Sequence, residues 1–508
     1  MSRWWAWRAS DYSCAMFVTR MRVRFGLAFL SATLWSFGAV AAGAHSARVV
    51  VLDRHGRASV RFDEALQGRA LTPRVGVGGS LTRRSVARSG AERTVRSELL
   101  RLYRRGLITQ TSYRGYAASF NSAVVTAKRL RGTRAAELEA VIENLHNMAA
   151  AGMLTVSRLP ALFLTLDRNR QWWRSGPLLS YGQRVEFAGS DIVWEYYPGQ
   201  GIELQVLGSF GKAQWFCAAG ARYTATCRRM VAELTPLAAN RAGGLVWEYY
   251  FMFDGGVPPW TSAMSQGTAL QTLADAYKSL GDPSYLAIAR RALPVFNVAP
   301  PSGVGIRTNR GMRFVEYSFA PAQSQNVLNG FLQSLIGLSD YAQASGDPTA
   351  TRLFAAGDSE AQAEVPRFDT GAWSLYQPGE EDSLDYHVLV TGFLQQLCKI
   401  TKAPVYCRTA SNFNRYLKTP PVLEVLTGRL RAHRQAALRF HVSKVSRVGV
   451  TLVLNGRTVF QTSAHFTYGD HAFALPVLTH AGRYTVTLDA TDLADNYSST
   501  TQPLRVTR

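Results

Sequence analysis

Three glycine-centred helix starts at nearly even spacing constrain this chain more than any other feature. Gln266-Gly267-Thr268-Ala269-Leu270, Leu328-Asn329-Gly330-Phe331-Leu332 and Val390-Thr391-Gly392-Phe393-Leu394 place their glycines 63 and 62 residues apart. The first two runs end on Gly281-Asp282-Pro283 and Gly346-Asp347-Pro348, a glycine-then-proline helix stop, and Lys402-Ala403-Pro404 takes that part in the third. Gly208, 59 residues before Gly267, is a candidate start of an earlier unit. A long fixed period marks a repeated supersecondary unit. Here each unit holds two helices, and a small residue on the buried face of the first lets neighbours pack closely. The predicted fold class is therefore mainly α, an (α/α) toroid of helical hairpins over residues 190–418. Its inner helices would point their N-termini at a pocket where the loops 311–327 and 369–386 gather.

The flanks read differently. Arg20, Arg22 and Arg24 precede the apolar run Phe25 to Ala42, and Ala42-Gly43-Ala44 closes it, so residues 1–44 read as a signal peptide. No later run is long and apolar enough to span a bilayer, and the expected localisation is secreted or cell-surface. Residues 45–85 form a short β-like segment. Residues 86–189 form a helical region, with Leu138, Val141, Ile142, Leu145 and Met148 on one face of its third helix. From about 430 to 508 the pattern alternates, and Asn455-Gly456 is a hairpin turn, which predicts an immunoglobulin/fibronectin-like β-sandwich.

After the signal, the cysteines form two close pairs, Cys217 with Cys227 and Cys398 with Cys407, and an even number in an exported chain predicts disulfides. The formal charge of +22, about +18 once residues 1–44 are removed, favours an anionic partner. An acidic glycan ranks first. Nucleic acid ranks last, because no zinc-finger, RRM-like or basic-zipper pattern is present.

Four blocks, in order, carry a family resemblance over about residues 190–418. They are Tyr197-Pro198-Gly199-Gln200-Gly201, then Pro259-Trp260-Thr261-Ser262-Ala263-Met264-Ser265-Gln266-Gly267, then Glu316-Tyr317 with Val327-Leu328-Asn329-Gly330-Phe331, and last Asp369-Thr370-Gly371 to Tyr376 with Asp385-Tyr386-His387. Together they resemble the C-terminal catalytic domain of the D-glucuronyl C5-epimerases, which turn glucuronate into iduronate within heparan-type polysaccharides. The resemblance implies catalytic roles for Glu316, Tyr317, Tyr376 and Tyr386. Glu316 and Tyr386 would be the proton-transferring pair, with Tyr317 and Tyr376 orienting the sugar. Tyr197, Trp260, Gln266, Asn329 and His387 are the expected substrate-binding residues. The implied partner is an acidic polysaccharide containing uronic acid. No cofactor is required by this chemistry, and the carboxylates Glu380, Glu381 and Asp382 are a candidate structural calcium site. Other readings are a polysaccharide lyase or a glycoside hydrolase on the same toroid, the latter using Glu316 with Asp369 or Asp385. A non-catalytic glycan binder would instead use Trp194, Trp247 and Trp260 as stacking platforms.

Overall fold

The computed structural model of the chain describes residues 48–66, 93–319 and 326–508. The expected signal segment, residues 67–92 of the N-terminal region and part of the loop 311–327 lie outside the described residues. Among the described residues no helix is long and apolar enough to cross a membrane.

Twelve α-helices run through the described residues. Four precede the repeat: α1 (Val95–Arg104), α2 (Gln110–Arg129), α3 (Gly132–Ala150) and α4 (Leu159–Ser175). The periodic apolar faces expected there are buried, with Leu138, Val141, Leu145 and Met148 of α3 in the core. Four hairpins follow: α5 (Val206–Ala218) with α6 (Thr224–Leu234), α7 (Ala263–Leu280) with α8 (Ser284–Ala292), α9 (Leu328–Ser345) with α10 (Pro348–Glu364), and α11 (Leu384–Thr401) with α12 (Pro404–Tyr416). The first helix of each hairpin packs on the first helix of the next, α5 on α7, α7 on α9 and α9 on α11.

Glycine explains the tightest of these contacts. A Cβ on Gly267 would lie 2.6 Å from the Ser334 Cα, and one on Gly337 would lie 1.9 Å from the Gly267 carbonyl oxygen. Helices α7 and α9 thus meet backbone to backbone. Gly281, Gly346 and Lys402 all take the left-handed conformation that ends α7, α9 and α11, at φ 70°, 68° and 60°. Gly392 departs from the expectation: it shares the spacing but is exposed, and a Cβ there would meet nothing within 4 Å.

The disulfides form as expected. Cys217–Cys227 joins α5 to α6 and Cys398–Cys407 joins α11 to α12, each with a Cα–Cα separation of 4.9 Å. Each therefore staples the two helices of one hairpin.

The N-terminal strands β1 (Arg48–Leu52) and β2 (Ala58–Phe62) do not stand apart. They join β3 (Arg184–Phe187), β4 (Trp194–Tyr197) and β5 (Gly201–Leu204) in one sheet of order β2-β1-β3-β4-β5, with β1 parallel to β3. Buried Lys212 of α5 fastens this sheet through Asp63, at 2.6 Å, and Glu186. The string Val-Trp-Glu-Tyr-Tyr occurs at residues 193–197 and again at 246–250; the first copy forms β4, whereas the second leaves its strand at Val246.

Residues 423–507 form a three-stranded and a five-stranded sheet that share one apolar core, including Phe440 and Val442 from one sheet and Val450, Val486 and Leu488 from the other. Glu381 ties this unit to the helical part by accepting the Val445 and Tyr468 amides at 2.9 and 2.7 Å.

Candidate active site

The first turns of α7, α9 and α11 meet around Glu316. Ser262 caps α7, its hydroxyl accepting the Ser265 amide at 3.2 Å and donating to Glu316 Oε1 at 3.0 Å. The segment after Phe314 is pinned to that cap: the Ala263 amide donates to the Val315 carbonyl and the Ser318 amide to the Thr261 carbonyl. On α9, Gly330 lies directly against the carboxyl, where a Cβ would fall 1.7 Å from Glu316 Oε2. On α11, Ser383 caps the helix by accepting the Tyr386 amide at 3.4 Å, which sets Tyr386 in the first turn.

Glu316 is buried, and its Oε2 has no hydrogen-bond partner. Burial pushes its carboxyl up to about 8, against the Ser262 hydrogen bond, which lowers it. Tyr317 and Tyr376 bring their hydroxyls within 3.3 Å of each other, and the Tyr376 and Tyr386 rings meet edge to face at 5.3 Å. Burial, and then the charges of Tyr376, Glu316 and Tyr386, raise the Tyr317 phenol well above its ordinary value. Burial and Glu316 raise Tyr376 likewise. The four residues expected to be catalytic thus form one electrostatically coupled cluster of a buried acid and three phenols.

An aromatic wall continues from it. Trp260 stacks on Tyr249 at 4.2 Å and meets Tyr317 at 5.9 Å. Tyr197 stacks on Phe251 at 4.5 Å, and both line an internal cavity of about 10 Å³ together with Glu316, Ser262 and Tyr317.

Other expected binding residues are placed elsewhere. His387 is fully buried: Nδ1 lies 2.7 Å from the Ser374 hydroxyl, Nε2 lies 2.9 Å from the Phe413 carbonyl, and the ring stacks on Trp373 at 3.8 Å. Burial lowers its pKa to about 4, so the ring is neutral and clasps α11 to α12 instead of facing sugar. Gln266 bonds the Trp247 backbone and the Thr261 hydroxyl, and Asn329 Oδ1 accepts the Gly330 amide at 2.7 Å. Asp369 is taken up by Asn412 and Tyr416. Trp194, Trp247 and Trp260 are all buried. The carboxylates Glu380, Glu381 and Asp382 turn to different partners, namely Gln377, backbone amides of the β unit, and Ser374. Among the described residues no group of three or more His, Cys, Asp or Glu side chains could hold a metal ion.

Sequence reasoning did not single out Ser262 or Tyr249. Ser262 was visible as a helix cap before an apolar run. Tyr249 had only its place in the second Val-Trp-Glu-Tyr-Tyr string.

The helical hairpins thus bring a buried carboxyl and three phenols together in one candidate site. Residues 243–415 match the family described as D-glucuronyl C5-epimerase C-terminus. The D-glucuronyl C5-epimerase of Caenorhabditis elegans is 33% identical over 181 residues, 31% of this chain and 29% of that protein. An uncharacterized protein of Methanocaldococcus jannaschii is 32% identical over 139 residues, 26% of this chain and 44% of that protein. The chain thus spans less than half the length of these curated relatives. A solved cellobiose 2-epimerase from Bacillus thermoamylovorans is 13% identical at a TM-score of 0.33, covering 49% of this chain and 64% of that one.

Proposed function

We propose that this protein is an exported epimerase that inverts C5 of a uronosyl residue, D-glucuronate to L-iduronate, within an acidic polysaccharide. The observation that carries the reading is Glu316: a buried carboxyl with one unpartnered oxygen, in one cluster with the phenols of Tyr317, Tyr376 and Tyr386. In the proposed reaction the Glu316 carboxylate takes the C5 proton. The bond electrons move into the sugar carboxylate, which gains enolate character. The Tyr386 hydroxyl then donates a proton to C5 from the opposite face, leaving a phenolate. Tyr317 and Tyr376 orient the sugar. The first turns of α7, α9 and α11 supply partial positive charge where the sugar's negative charge grows. Export is supported by the paired cysteines, since disulfides persist in oxidising compartments. The formal charge of +22 suits an anionic polymer.

A lyase would begin with the same abstraction and then expel the C4 substituent. Product analysis separates the two. Incubated with a heparan-type polysaccharide whose uronic acid is glucuronate, the protein should yield iduronate and no unsaturated, ultraviolet-absorbing product. Appearance of the unsaturated product would replace the epimerase reading with the lyase one.

A further inference from the structure

Tyr376 reaches the site from a very short hairpin. Residues Leu375–Gln377 and Glu380–Glu381 pair antiparallel, with Leu375 across from Glu381, and Gly379 turns the chain between them at φ 85°. The Asp382 amide extends the pairing by donating to the Ser374 carbonyl at 3.0 Å. Tyr376 sits between Leu375 and Gln377, with its hydroxyl 3.3 Å from that of Tyr317 and its ring against Tyr386. The place of the hairpin therefore sets the place of one of the three phenols. Two strands this short do not hold a position by themselves, so what grips them decides where the phenol stands.

The C-terminal β unit supplies that grip. Both oxygens of the Glu381 carboxylate are taken by its backbone: the Val445 amide donates to Oε1 at 2.9 Å and the Tyr468 amide to Oε2 at 2.7 Å. Hydrogen bonds to an ionised acceptor are among the stronger ones. Lys444, next to Val445, reaches further in and is 1% exposed. Its ammonium pairs with Asp492 and donates to the Tyr416 and Thr419 carbonyls, at 2.9 and 2.5 Å, just at and beyond the end of α12. It also lies 5.2 Å from the centre of the Trp373 ring. Trp373 stacks on His387 of α11 and donates its indole N–H to the Asp382 carbonyl at 2.8 Å. Residues 444 and 445 thus hold the segment that carries Tyr376 at both of its ends, through Trp373 and through Glu381.

A group that orients a reacting sugar has to be held to within about 0.5 Å by the residues behind it. We propose that Glu381 is a positioning residue of this site: held by the β unit, it fixes the hairpin that presents the Tyr376 hydroxyl, so the C-terminal unit sets part of the geometry around the sugar. The inference rests on the epimerase reading. Glu381 touches neither sugar nor reacting atoms in this role and acts through Tyr376 alone.

The test uses the full chain and a heparan-type glucuronate polysaccharide. Glu381→Ala should lower kcat/KM of the folded protein by about tenfold or more, since a small misplacement of an orienting group is costly. Glu381→Gln keeps one acceptor oxygen and should fall between Glu381→Ala and wild type. In a Tyr376→Phe background, Glu381→Ala should cost no further activity, because the hydroxyl it positions is already gone. A 3-fluorotyrosine label at position 376 reads the placement directly: its fluorine resonance should shift or broaden in Glu381→Ala, which a role in stability alone would not produce. A folded Glu381→Ala with kcat/KM within about twofold of wild type overturns the inference. So does a loss that adds in full to that of Tyr376→Phe, which independent sites would give, and so does an unmoved fluorine resonance. Should Glu381→Ala fail to fold, Glu381→Gln decides by the same measurements. If wild type itself forms no iduronate, the epimerase reading fails, and the fluorine resonance still decides whether Glu381 positions Tyr376.

Discussion

Gly330 and Glu316 are in steric contact: any side chain at Gly330 would put its Cβ 1.7 Å from Glu316 Oε2. The glycine on α9 therefore makes room for the carboxyl. Gly330→Ala must displace Glu316 or strain α9, at a cost of about 1–3 kcal/mol of stability. Epimerase activity should fall at least a hundredfold while circular dichroism stays native, because displacing a reacting group by about 1 Å can cost that much. Gly392→Ala, at an exposed position with open space, should leave activity and stability nearly unchanged.

Glu316 should govern the pH dependence. Its folded pKa of about 8 means that kcat/KM rises with pH through that region as the base ionises. The folded state holds a proton that the unfolded chain releases above roughly pH 4.3. This group's contribution to stability is therefore complete below that pH and is lost as pH climbs through about 8. Glu316→Gln should abolish activity and lessen the alkaline loss of stability in thermal unfolding measured between pH 5 and 9.

His387 should behave as a clasp. His387→Ala leaves the Phe413 carbonyl and the Ser374 hydroxyl without its ring, and buried polar groups left unpaired cost about 1–3 kcal/mol each. Stability should drop by that order, whereas KM of the folded fraction should hold. A raised KM at full stability would return His387 to the sugar-binding residues.

Each disulfide closes a short loop, with sequence separations of 10 and 9. Replacing either pair by serines should lower stability by about 2.5–3 kcal/mol in the chain-entropy model. Denaturant unfolding of each double-serine variant measures this directly.

The helical hairpins were legible because backbone contact between helices requires the absence of a side chain, and glycine records that absence in the sequence. Gly267 bears the reading out, Gly330 lies against the Glu316 side chain instead of a helix backbone, and Gly392 shows the limit, since spacing says nothing about what lies opposite. Clustering of Glu316, Tyr317, Tyr376 and Tyr386 followed from motifs placed at helix starts. The direction of His387 did not, because adjacent helical residues point about 100° apart. Tyr386 faces Tyr376 while His387 turns to Phe413. The sheet that joins β1 to β3 was not legible either: strands of three to five residues are too short to show a period, and parallel pairing links segments far apart in the chain.

The most direct test of the central claim is solvent deuterium at C5. Wild type, incubated in D₂O with a heparan-type glucuronate polysaccharide, should place deuterium at C5 of the uronic acid as iduronate appears. Tyr386→Phe removes only a hydroxyl, so it should keep the fold and polysaccharide binding while the iduronate signal disappears. Wild-type polymer free of C5 deuterium, or a Tyr386→Phe variant that forms iduronate at the normal rate, would contradict the account.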